Sequence, residues 1–61
     1  MKYRVCWKER LTGKVYKDEL YTSLERVEDI MRELSAEYSH FYWIEDEIGN
    51  YVCSDEYILY A

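Results

Sequence analysis

The chain contains no proline, two glycines, one histidine and two cysteines. Proline and glycine punctuate chains, so their scarcity excludes a long linker and predicts regular elements joined by short turns. Cys6 and Cys53 lie far apart without CxxC spacing, too few for a disulfide framework or a zinc site. Both are expected as reduced, buried thiols. No apolar run approaches the roughly 20 residues of a membrane span. Residues 1–5 lead into a strand pattern rather than an apolar signal-peptide core. These absences predict a cytoplasmic protein with no membrane partner. GxSxG, P-loop, GxGxxG and HExxH patterns are also missing. His40, the lone histidine, falls at a helix-to-strand junction, and 61 residues leave little room for a water-excluding pocket. The expectation is no enzyme, no cofactor and no metal.

Apolar mass is abundant instead. Eight tyrosines, two tryptophans and Phe41 bring the apolar share to 49%. That content excludes disorder and offers the dense core that so short a chain needs. Residues 1–61 are expected to form a single domain.

Residues 2–11 alternate. Tyr3, Val5, Trp7 and Leu11 fall on one side, and Lys2, Arg4, Cys6, Lys8 and Arg10 on the other. Period two with aromatic and β-branched residues predicts a half-buried strand. Thr12-Gly13 marks a turn, and residues 14–21 return as a second strand with a less regular pattern. Thr22 and Glu25 fit a capping box with Thr22 as the cap. Leu24, Val27, Ile30, Met31, Leu34 and Tyr38 then recur at helical steps, predicting a helix that ends near Tyr38. His40–Ile44 reads as a third strand, apolar on both faces. Gly49-Asn50 marks a hairpin turn into a fourth strand at 51–53. Tyr57-Ile58-Leu59-Tyr60 forms a short apolar segment, readable as a strand, a sheet edge or a dimer arm. The predicted fold is α+β, ordered β-β-α-β-β, with one helix packed on a small antiparallel sheet.

Charge is segregated along the chain. Residues 1–17 carry six cations against Glu9 alone, a net +5; residues 18–61 carry Arg26 and Arg32 against twelve acids, a net −10. Such asymmetry fits either an electrostatic partner or a match between halves. Glu25, Asp29, Glu33 and Glu37 are spaced by four and line the helix face opposite the apolar stripe. Like charges at this spacing repel by about 0.2–0.5 kcal/mol per pair. They recur about every 6 Å, a sparse imitation of the roughly 3.4 Å phosphate spacing of a DNA strand. Glu45, Asp46, Glu47, Asp55 and Glu56 are candidates to extend the row. Arg32 is expected to pair with Glu28 or Glu33, and Arg26 with Asp29. The functional reading is a protein–protein interaction with a partner that has a basic surface; the plain alternative is a solvated helix face.

Lys2, Arg4, Lys8 and Arg10 share one side of the first strand and define an alternative, a nucleic-acid-binding hairpin. A sequence pI near 4.7 argues against it, and edge protection explains the same cations. A strand apolar on both faces predicts that the face without the helix, expected to be tyrosine-rich, is exposed or buried in a homodimer or a partner.

Lys2-Tyr3-Arg4-Val5, the Thr12-Gly13 turn, Tyr21-Thr22-Ser23-Leu24-Glu25 and Trp43-Ile44-Glu45 resemble small uncharacterised proteins of phages and prophages. The resemblance spans about residues 2–45 and carries no functional motif. It implies a mobile-element origin. It further implies an inhibitor of host nucleic-acid machinery, of the anti-restriction or anti-CRISPR type, with no site residue carried over.

Overall fold

A computed structural model of the chain describes residues 1–54. Four strands and one helix follow in the order β1 (Tyr3–Lys8), β2 (Val15–Lys17), α1 (Leu24–Glu37), β3 (Phe41–Asp46) and β4 (Tyr51–Ser54). The strands form one antiparallel sheet in the spatial order β2-β1-β3-β4. This is the α+β arrangement that the periodicities predict. The apolar segment at 57–60 lies outside the described residues, as do Asp55 and Glu56.

The first two strands are shorter than the alternation implied. β1 stops at Lys8 because the hairpin loop begins at Glu9, whose N–H donates to the Lys14 carbonyl at 3.0 Å. Leu11 therefore sits at the loop tip and is 100% exposed, not on the core face. Gly13 takes the positive φ of +74° that this turn requires. β2 keeps three ladder residues, but the chain rejoins β1 at an isolated bridge between Tyr3 and Tyr21.

Helix α1 starts one residue later than the capping box suggested. Ser23, not Thr22, is the N-cap, and its Oγ accepts from the Arg26 N–H at 3.3 Å. The two hydroxyls stand side by side in sequence, and only the backbone decides which one faces the free amides. Val27 and Met31 are wholly buried against the sheet, flanked by Leu24, Ile30 and Leu34. They meet Val5 of β1 and Tyr42 and Ile44 of β3. Each such side chain contributes about 1.5–3 kcal/mol on burial. Tyr38 closes the helix in an extended conformation and is 51% exposed, so it is no part of the buried stripe.

The face bearing Arg4, Cys6, Lys8, Phe41 and Trp43 carries no helix. Pairing sets Cys6 between Lys17 and Trp43, and Arg4 opposite Glu45. This face is not tyrosine-rich as expected. Tyr3, Tyr21 and Tyr42 join the helix-side core, and Tyr16 stacks on Trp7 of the same side. The helix-free side instead exposes Phe41 (51%) and Tyr51 (65%). The ladder shifts between Ile44 and Glu45, leaving Val52 as an extra residue on β4. Among the described residues, no helix is long and apolar enough to cross a membrane.

Candidate functional site

The acidic face is set by helix geometry. With Val27 and Met31 turned to the sheet, Glu25, Asp29, Glu33 and Glu37 all become exposed on the outer side of α1. The helix is 14 residues long, so the row runs about 18 Å. Arg32 Nη1 pairs with Asp29 at 3.0 Å, rather than with Glu28 or Glu33. Among the described residues the other three carboxylates of the row have no ion pair. The last turn has no basic residue to meet the negative helix terminus.

Glu45, Asp46 and Glu47 do not extend the row. Asp46 is buried in the β3–β4 turn, where one carboxylate oxygen accepts from the N–H groups of Ile48, Gly49 and Asn50 at 2.9–3.0 Å. Those donors, the Asn50 amide first, hold its carboxyl below the usual aspartate value. Gly49 adopts φ +103° to close the same turn. Glu45 lies on the helix-free face, 3.2 Å from Lys17 Nζ and 3.2 Å from the Trp43 indole nitrogen. Burial pushes Glu45 up, but the Trp43 and Lys17 contacts outweigh it and hold the carboxyl low. Glu47 accepts from the Lys2 backbone N–H at 3.0 Å.

The basic set runs along β1 and past its end. Lys2 lies at the Glu47 end of the sheet. Arg4 is half-buried opposite Glu45, with an Nε that has no hydrogen-bond partner among the described residues. Lys8 is exposed at the other end of β1. Arg10 lies beyond the strand, its guanidinium 4.2 Å over the Phe41 ring and its Nε donating to the Ser39 carbonyl. Glu45 sets one carboxylate among these cations, opposite Arg4 and paired with Lys17. Cys6 is fully buried within this face. Burial first, then the neighbouring Glu45 charge, pushes its thiol up to about 11, so it is inert at neutral pH. Cys53 is pushed up as well, by burial and then by Glu28.

A feature that residue patterns missed lies where α1 ends against β1 and β3. Trp7, Leu34, Tyr38, His40 and Tyr42 line a cleft of about 210 Å³. Rings touch in series around it. Trp7 and Tyr42 are 6.3 Å apart, Tyr42 and His40 6.0 Å, and His40 and Tyr38 6.3 Å between centroids. The Tyr42 hydroxyl lies 3.2 Å from the carbonyls of Leu34 and Tyr38, to which it donates, tying β3 to the helix end. Buried Nδ1 of His40 has no hydrogen-bond partner among the described residues. A second cleft of about 210 Å³, lined by Glu9, Arg10, Leu11, Ser39 and His40, adjoins it through His40. The signal in sequence was aromatic excess, which does not say where rings converge. Among the described residues no cluster of three or more His, Cys, Asp or Glu side chains is arranged to hold a metal ion.

No family model, curated protein or solved structure matches this chain.

Proposed function

We propose that this chain is a small cytoplasmic protein-binding module whose acidic helix face docks on a basic protein surface. One observation carries the reading: four carboxylates stand in line on the solvent side of α1, and only Asp29 has a salt-bridge partner among the described residues. Charge left uncompensated over about 18 Å stores repulsion within the helix that a cationic partner relieves. The resemblance to phage proteins makes the partner a host protein that handles nucleic acid, and makes the module its inhibitor. Complementary charge of this kind acts on association rate and specificity more than on affinity.

The test is a double reversal, Glu25→Lys with Glu33→Lys, measured against the partner captured by the wild-type chain. Both residues are exposed, so the core is untouched. Association is expected to slow and its salt dependence to flatten. A folded variant with unchanged affinity and unchanged salt dependence refutes the reading.

A second reading is favoured by Phe41 and Tyr51, both more than half exposed on the helix-free face. That face suits a homodimer or a second contact surface. Light scattering over a concentration series decides it: a monomer throughout removes the homodimer.

A further inference from the structure

Resting on the reading of a basic partner, we propose that the cleft bounded by Trp7, Leu34, Tyr38, His40 and Tyr42 receives one cationic side chain of that partner, an arginine or a lysine. Its volume of about 210 Å³ suits one side chain and falls below the roughly 300–1,000 Å³ of sites for small organic ligands. The rings are not a flat stack. Trp7 and Tyr42 are inclined by 35°, and Tyr42 and His40 by 44°, so they form a curved wall. Aromatic faces carry negative potential and attract ammonium and guanidinium groups.

Three further observations favour a cation. The cleft lies at the C-terminal end of α1, where the helix dipole is negative and the last turn holds Glu37 and no basic residue. The chain's own cations nearby are engaged elsewhere: Arg10 over Phe41 and on the Ser39 carbonyl, Lys14 over Tyr16 at 5.2 Å. The His40 ring keeps one nitrogen without a partner among the described residues. With its proton on Nε2, that nitrogen is an acceptor, and a guanidinium or ammonium brings only donors. A nucleobase would stack on the same rings, but its phosphate would meet Glu37 and the helix carbonyls.

The cleft also completes the acidic row. Glu37 immediately precedes Tyr38, which lines the cleft, so one cation anchors in the rings while others meet the carboxylates.

The test uses three probes on the intact chain, read by NMR at the Trp7 indole and the Tyr38 and His40 rings. They are N-acetyl-arginine methylamide, its uncharged isostere N-acetyl-citrulline methylamide, and AMP. The arginine probe is expected to give saturable shifts at all three rings, with binding at least about threefold tighter than citrulline. Tyr38 is half exposed, so Tyr38→Ala leaves the core intact. That variant is expected to lose the response and Tyr38→Phe to keep it, while the amide spectrum confirms the fold. Equal binding of citrulline, tighter binding of AMP, or no saturable shift overturns the proposal. These probes are too short to span the carboxylate row, so their failure removes the cleft alone. The Glu25 and Glu33 reversals decide the row.

Discussion

Replacing Glu37 with lysine will stabilise this fold, and the size of the gain follows from position. Glu37 is the last residue of α1, one turn beyond Glu33 on the same exposed face. A carboxylate there opposes the negative end of the helix dipole, and a lysine there complements it. Each effect is worth about 0.3–1 kcal/mol at low ionic strength, nearer the lower value for an exposed site. The Glu33–Glu37 repulsion of about 0.2–0.5 kcal/mol also becomes an attraction of similar size. Glutamate and lysine have nearly equal helix propensities, so the backbone contributes little. The sum is about 1–1.5 kcal/mol. A domain of this length is worth only about 3–9 kcal/mol in total. Thermal unfolding followed by circular dichroism will register the gain as a rise of about 4–8 °C per kcal/mol. Glu37→Gln removes the penalty without adding the attraction and will give about half. Both gains will shrink in 0.5 M salt, where the screening length falls to about 4 Å. No rise in Tm at low salt, or an equal rise at high salt, refutes the electrostatic account. On the proposed function, the stabilised variant is also expected to bind a basic partner less well, because it gives up a carboxylate of the row.

Two further outcomes concern the fold. Ser23→Ala will cost about 1 kcal/mol in chemical denaturation, while Thr22→Ala will be nearly neutral, since only Ser23 caps the helix; the reverse order would restore Thr22 as the cap. Stability will also depend on pH at both ends of the range. Asp46 and Glu45 have folded pKa values below their ordinary 3.8 and 4.5. Their contribution is complete above those values and is lost as pH falls through the lower folded ones. Cys6 runs the other way: its pKa rises from 9.0 to about 11 on folding. The stability it contributes is present below 9.0 and is lost as pH rises toward 11. Denaturant midpoints measured from pH 2 to 11 will show both limbs. The acid limb will shrink in Asp46→Asn and the alkaline limb in Cys6→Ala; limbs unchanged in these variants refute the assignment.

The periodicities carried the architecture because they are local. A 3.6-residue stripe through Val27 and Met31 cannot serve a strand, and the alternation through Tyr3, Val5 and Trp7 cannot serve a helix. The same locality put all four helix carboxylates on the solvent side, where the structure holds them. Side chains whose role depends on a distant neighbour were misread. Lys2, Arg4, Lys8 and Arg10 share a parity, but that parity does not show that Glu45 of β3 sets a carboxylate among them. Glu45, Asp46 and Glu47 looked like more acidic surface, yet a salt bridge, a turn and the Lys2 amide absorb them one by one.

By itself the amino-acid sequence determined the α+β order, the helix with its buried and acidic faces, and the turns at Gly13 and Gly49. These depend on backbone preference and on spacing within a few residues. Tertiary structure alone decided that Trp7, Leu34, Tyr38, His40 and Tyr42 meet around one cleft. β1, α1, β3 and the connection between α1 and β3 supply those side chains, and their meeting depends on how the helix crosses the sheet, which no local pattern encodes.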